Sequence, residues 1–279
     1  MIWRCRERVF EDPSRVLVMG ILNVTPDSFS DGGRYFEPAA AISRAHELVE
    51  AGADILDLGG ESTRPGSAPV PAAEQVRRLL PVVQALKGSG ACLSIDTASA
   101  EVAHATLDAG AHIINDVTAL GDPAMAGVVA AAGAGLVLMH MQGTPATMQQ
   151  APHYTDVIAE VRDFLAERKG LAMAGGVAVE CVALDPGLGF GKTLEHSIRL
   201  IARLDEIIAL GRPVVMGASR KSFLGRLLGN TDPHDRIEAG LAAISIGAFL
   251  GARAIRTHDV AATHRALRIA AALAAERRA

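Results

Sequence analysis

Cysteine is scarce in this chain: Cys5, Cys92 and Cys181 are the only ones among 279 residues. Odd in number and far apart, they form neither a disulfide framework nor a zinc-ligand pattern. They suit a reducing cytoplasm in which all three pack as small apolar side chains. Positive charge is not in excess either. The net charge is -4 and the pI near 6.1, which argues against a nucleic-acid-binding surface. Long hydrophobic runs are also missing. Of the apolar uncharged stretches, 123–139 is broken by Gly127, Gly133 and Gly135, and 239–252 falls short of the roughly 20 residues a membrane span needs. The opening MIWRCRERVF alternates charge with bulk and has no continuous apolar core, so no signal peptide is expected. No linker, low-complexity tract, composition shift or short repeat divides the chain. Together these absences predict a soluble cytoplasmic protein that neither spans a membrane nor binds nucleic acid.

What is present is a large apolar fraction, 49%, which excludes disorder. A chain of this size buries roughly 75% of its unfolded surface. Short β-branched runs begin near Val16, Asp54, Ala91, His112, Gly135, Cys181, Pro213 and Arg253. Helix-forming segments rich in Ala, Leu, Arg and Glu fill the intervals: 39–51, 72–87, 99–109, 123–132, 155–173, 194–210, 233–250 and 259 to the end. The strands read as continuous apolar runs, as expected for a parallel sheet covered on both faces. Eight strand-then-helix units predict an α/β fold, a (β/α)8 TIM barrel, with an open doubly wound sheet as the alternative. Residues 1–14 read as a short N-terminal extension, a hairpin closing the bottom of a single barrel domain over 15–279.

Polar residues recur where the strands end. Strand 1 ends in Asn23, strand 2 in Gly59, Gly60 and Glu61, strand 3 in Asp96, strand 4 in Asn115 and Asp116, strand 5 in Met139 and His140, and strand 6 in Asp185. Strand 7 ends at Gly217, followed by Ser219, Arg220 and Lys221, and strand 8 at Arg256, Thr257 and His258. In a parallel barrel these ends share one face, where the active sites of such barrels lie. Taken singly, each is as well explained as a helix cap or loop residue. Lys221 carries more weight, because lysine occurs at only four positions: 87, 169, 192 and 221. The loops 23–33 and 59–66, rich in Gly, Pro, Ser and Asp, read as lids over the site. The loop 185–193, DPGLGFGKT, superficially resembles a nucleotide-binding loop. Pro186 stands where the Walker pattern needs glycine, and Lys192 where the dinucleotide pattern does. Its glycines instead let backbone approach a flat ligand. Arg256 and His258 lie where barrels commonly bind phosphate, and an arginine there makes planar, charge-assisted bonds to phosphate oxygens.

The segments VMGILNVTPDSFSDGG, DLGGESTRPG, SIDT, INDV, MHMQGTP, DPGLGFGKT, GASRKSFLG and RTHDV, in this order from Val18 to Val260, resemble the signatures of the dihydropteroate synthase family. Residues 1–15 fall outside the match. The resemblance implies a transferase that condenses 7,8-dihydropterin-6-ylmethyl diphosphate with p-aminobenzoate, giving 7,8-dihydropteroate and diphosphate in folate biosynthesis. It implies that Asp96, Asn115, Asp185, Lys221, Met139, Phe190 and Gly217 hold the pterin, with Asp96 and Lys221 catalytic. Thr63, Arg64, Pro65, Phe29, Ser219 and Lys221 would surround p-aminobenzoate. Asn23, Thr63, Arg256, Thr257 and His258 would contact the diphosphate, with Asn23 also reaching a Mg2+ cofactor. Sulfonamides would compete with p-aminobenzoate. The alternatives are a pterin-dependent methyltransferase domain, which would not need the Ser219–Lys221 and Arg256–His258 elements, and a non-catalytic pterin-binding paralogue. The segment 239–250 is apolar nearly all round, so it is either buried on every side or part of a homodimer interface; the resemblance favours the homodimer.

Overall fold

The computed structural model describes residues 1–25, 38–62, 67–229, 232 and 234–278. An antiparallel hairpin, β1 (Trp3–Cys5) and β2 (Arg8–Phe10), precedes the barrel. Eight strands follow: β3 (Leu17–Asn23), β4 (Ile55–Gly59), β5 (Cys92–Asp96), β6 (Ile113–Asp116), β7 (Gly135–Met139), β8 (Val182–Asp185), β9 (Val215–Met216) and β10 (Ala254–Thr257). Every pairing between them is parallel, in the order β8-β7-β6-β5-β4-β3-β10-β9. A parallel bridge between Leu184 and Val214, with the Leu184 amide donating to the Pro213 carbonyl at 2.9 Å, brings the two ends of the sheet together. The result is the eight-stranded α/β barrel that the strand spacing predicts.

Helices ring the barrel: α1 (Pro38–Glu50), α2 (Ala72–Leu86), α3 (Ala100–Ala109), α4 (Met125–Ala132), α5 (Val157–Ala174), α6 (Leu194–Ala202), α7 (Leu204–Ile208), α8 (Ser222–Leu227), α9 (Ile237–Leu250) and α10 (Val260–Arg278). Their ends have local causes. Ser99 accepts from the Val102 amide at the start of α3, Asp156 caps α5, and Thr193 and His196 form a reciprocal capping box on α6. α2 buries Leu79, Val82, Val83 and Leu86, one face at helical spacing, and each such leucine or valine contributes about 1.5–3 kcal/mol on leaving water. Two details depart from expectation. The helix over 194–210 breaks at Arg203, whose φ of -116° and ψ of 33° leave the helical region, and the short α8 forms directly behind Lys221. Among the described residues, no helix is long and apolar enough to cross a membrane.

The barrel has two apolar layers, separated by the alternation of side chains along each strand. Outward positions such as Val18, Leu56, Leu93, Ile114, Leu136 and Ile255 pack against the helices. Inward positions Leu17, Met19, Ile55, Cys92, Ile113, Val137, Ala183, Val215 and Ala254 form a second cluster with Trp3 and Cys5 from the hairpin. Trp3 is completely buried there, its indole N–H donating to the Cys181 carbonyl at 3.1 Å. Arg6 adds bonds to the carbonyls of Leu107, in α3, and Ala111, just before β6. The hairpin thus seals the end of the barrel where the strands begin. All three cysteines are buried and unbridged.

Candidate active site

The same alternation builds the site. Following the inward positions toward the strand ends gives Asn23 on β3, Asp57 and Gly59 on β4, Ser94 and Asp96 on β5, Asn115 on β6, Met139 on β7, Asp185 on β8 and Arg256 on β10. Register places Asn23 beside Gly59, Gly59 beside Asp96, Asp96 beside Asn115, and Met139 beside Asp185. Gly217 follows β9 directly, and a Cβ there would stand at ordinary contact distance from Arg256 Cβ, 3.6 Å, and Lys221 Nζ, 3.9 Å. At this rim lies a recess of about 280 Å³, open to solvent, lined by Asp96, Asn115, Val117, Met139, Asp185, Phe190, Gly217, Lys221 and Arg256. All seven residues expected around the pterin therefore meet in one place.

The recess is charged, and the acids that line it are buried. Asp96 is 6% exposed, and its Oδ2 accepts from Arg256 at 2.7 Å while its Oδ1 is buried with no partner among the described residues. Burial, with the nearby charges of Asp57, Glu61 and Asp116, pushes its carboxyl up to about 7 against the opposing pull of Arg256. Burial also raises Asp185, which accepts from the Gly187 amide at 2.7 Å. Lys221 donates to the Leu188 carbonyl, and its ammonium stands 4.5 Å from the centre of the Phe190 ring. Burial lowers that ammonium to about 8, with Asp185 working the other way. Burial would also weaken the Arg256 guanidinium, but the charges of Asp57 and Asp96 outweigh this and hold it above its ordinary value.

The glycine-rich loop 185–193 is tightly held. Gly187 has a φ of +65°, and a Cβ there would stand 1.9 Å from the His140 carbonyl oxygen, so only glycine fits. Lys192 Nζ donates to His140 Nδ1 at 2.9 Å and to the carbonyls of His140 and Phe190. Burial lowers this lysine strongly, and burial with the Lys192 charge brings His140 down to about 3, leaving the imidazole neutral. Gln149 Nε2 reaches the Gly189 carbonyl at 2.6 Å, and the Tyr154 hydroxyl reaches that of Gly191 at 2.7 Å.

Other expected residues are placed differently. Ser219 and His258 meet each other, Oγ to Nδ1 at 3.1 Å, beside a bidentate Arg220–Asp259 pair. Arg256 is not turned toward open solvent: Nε pairs with Asp57 at 2.6 Å and a terminal nitrogen with Asp96. Thr257, expected at the diphosphate, turns its side chain away from the recess. Its side chain is buried, 3.0 Å from the Thr263 hydroxyl and accepting from the Asp259 amide, so it serves the start of α10. Parity is the reason: Thr257 follows inward Arg256 and must face outward. The same displacement takes Asp116 into its own turn, accepting from the amides of Thr118 and Leu120, and His140 to Lys192. Glu61 accepts from the Val70 amide and from Gln75, fixing the exit of its loop. Phe29, Thr63, Arg64 and Pro65, with most of the first lid and the tip of the second, lie outside the described residues.

Asn23 supplies one neutral oxygen, 3.7 Å from where a Cβ on Gly59 would stand. Among the described residues no group of three or more His, Cys, Asp or Glu could hold a metal. A single amide oxygen fits a Mg2+ that keeps its waters and arrives with a phosphate.

Comparison with known proteins agrees with this geometry. The family described as "Pterin binding enzyme" matches residues 19–258. Dihydropteroate synthase of Escherichia coli K12 is 46% identical over 259 residues, covering 92% of each chain. The structure of Xanthomonas albilineans dihydropteroate synthase with 4-aminobenzoic acid superposes with a TM-score of 0.91 at 44% identity, covering 98% of this chain and 97% of that one. Yersinia pestis dihydropteroate synthase in a sulfonamide complex gives 0.92 at 42% identity, covering 99% and 100%. A barrel rim matched in sequence and shape over nearly its whole length leaves one assignment: the chain belongs to the pterin-binding enzymes and, among them, to the dihydropteroate synthases.

Proposed function

We propose that the recess binds the pterin ring of 7,8-dihydropterin-6-ylmethyl diphosphate and that p-aminobenzoate displaces its diphosphate to give 7,8-dihydropteroate. The observation that carries this reading is the buried Oδ1 of Asp96, without a partner among the described residues, on a residue that lines the recess with Asp185, Asn115 and Lys221. An orphaned acceptor in such a place calls for a ligand N–H. A pterin offers adjacent N–H donors beside ring acceptors, a pattern that two carboxylates, an amide and an ammonium match.

The reaction breaks the C–O bond to diphosphate and forms a C–N bond, and the arylamine proton leaves to solvent. Cleavage comes early, because the reduced pterin spreads positive charge from the methylene into its ring, where ionised Asp96 stabilises it. The arylamine attacks in its neutral form, so no strong general base is required. Arg256 and His258 stabilise the departing anion. Asn23 would hold a Mg2+, which would supply further neutralisation of that charge. Ser219 and Lys221, with Phe29, Thr63, Arg64 and Pro65, line the p-aminobenzoate side, where sulfonamides compete. We also place the protein in a reducing, cytoplasmic setting, on its three unbridged thiols, and expect a homodimer through the apolar α9, whose Ile246 is exposed; light scattering reads the latter.

The test is incorporation of radiolabelled p-aminobenzoate into dihydropteroate, with and without magnesium. Label should pass into product and depend on both the pterin diphosphate and magnesium. Pterin binding without turnover would mark a non-catalytic paralogue.

A further inference from the structure

We propose that Asp57 is a positioning residue for the pterin subsite, setting the amide of Asn115 and the guanidinium of Arg256 from one layer beneath the rim. The proposal rests on the reading of the recess as a pterin site. Asp57 is completely buried and does not line the recess, so it meets no ligand. Its oxygens are nonetheless fully used. Oδ1 accepts from Ser94 Oγ at 2.6 Å, and Oδ2 accepts from Arg256 Nε at 2.6 Å and Asn115 Nδ2 at 3.2 Å.

Stability is a poor reason for a carboxylate here. The inward positions below it, including Ile55, Cys92, Ile113 and Val137, are apolar, and a buried ion pair is commonly no better than a hydrophobic replacement. Orientation is a better one. An ionised carboxylate only accepts, so each neighbour must turn a donor toward it. Asn115 is thereby forbidden from flipping its amide, and the remaining N–H and the Oδ1 keep one arrangement toward the heterocycle. Arg256 is gripped from both sides, Nε by Asp57 and a terminal nitrogen by Asp96, so its plane is set before any anion arrives. An amide at position 57 loses this dictation, because it also donates.

The test is Asp57→Asn, with wild-type protein run beside it. Affinity for a diphosphate-free pterin, read by calorimetry, should fall roughly 10- to 100-fold, the range for one mismatched buried polar contact. kcat/KM for the pterin diphosphate should fall at least as much, while KM for p-aminobenzoate changes less than about threefold by the same reasoning. In an Asn115→Ala background, the further loss in kcat/KM should be smaller than in wild type, what remains being the share that acts through Arg256; a purely structural Asp57 would cost the same in both. Should Asp57→Asn fail to fold, Ser94→Ala, which frees only Oδ1, should still weaken pterin binding several-fold. Wild-type pterin affinity in soluble Asp57→Asn, equal losses in the two backgrounds, or unchanged binding in Ser94→Ala where that is the variant available, would each overturn the proposal. Wild-type protein that binds no pterin would instead overturn the reading of the site.

Discussion

Ionising Asp96 works against the fold, and Asp96→Asn should therefore stabilise the free protein while disabling it. The carboxyl titrates near 7 rather than at the ordinary 3.8, a difference of about 3 pH units. At about 1.36 kcal/mol per unit, the ionised form costs the native state at most about 4 kcal/mol. Because the folded pKa lies above the unfolded one, the native state holds the extra proton. This contribution to stability is whole below about pH 4, falls as pH rises, and is gone above about 7. The asparagine keeps the shape and never ionises. It should melt higher than wild type by up to about 8 °C at pH 8, taking about 2 °C per kcal/mol for a domain of this size. At pH 5 the gap should shrink to less than half. The same change should weaken binding of a diphosphate-free pterin roughly 100-fold, since an acceptor facing a donor is lost. Scanning calorimetry at the two pH values, and titration calorimetry with the pterin, check both parts. A melting difference that is the same at pH 5 and pH 8, or negative at pH 8, would refute the reasoning.

Three further outcomes are expected. kcat/KM for the pterin substrate should rise as Asp96 loses its proton near 7 and fall as Lys221 loses its own near 8, giving a narrow optimum between them; a flat profile from pH 6 to 9 would contradict it. Gly187→Ala should lower stability by about 3 kcal/mol and abolish pterin binding, because the new methyl has no place beside the His140 carbonyl; urea unfolding reads the first and calorimetry the second. Trp3→Ala should cost about 3–5 kcal/mol in urea unfolding through the cavity it leaves, with KM for both substrates unchanged at 25 °C, since Trp3 lies at the far end of the barrel.

Much of the site is legible in the sequence, for a definable reason. Asp96, Asn115 and Asp185 end apolar runs, and a barrel gathers strand ends on one rim; Lys221 is conspicuous because lysine is rare. What adjacency along the chain conceals is the face. Thr257 sits between Arg256 and His258 yet points outward, as do Asp116 beside Asn115 and His140 beside Met139. Counting in twos along each strand separates these pairs. It also finds Asp57, the inward residue between Ile55 and Gly59 within a run otherwise read as a plain apolar strand. At the break at Arg203 and at the start of the helix behind Lys221, no side-chain cap or breaking residue marks the sequence.

The ties from Gln149, Tyr154 and Lys192 have a thermodynamic consequence. A stretch with glycine at 187, 189 and 191 is ordinarily slack, and a ligand would forfeit affinity in freezing it. Here the freezing is already done by partners from the neighbouring connection, so one wall of the recess is rigid before anything arrives and little binding energy is lost to ordering it.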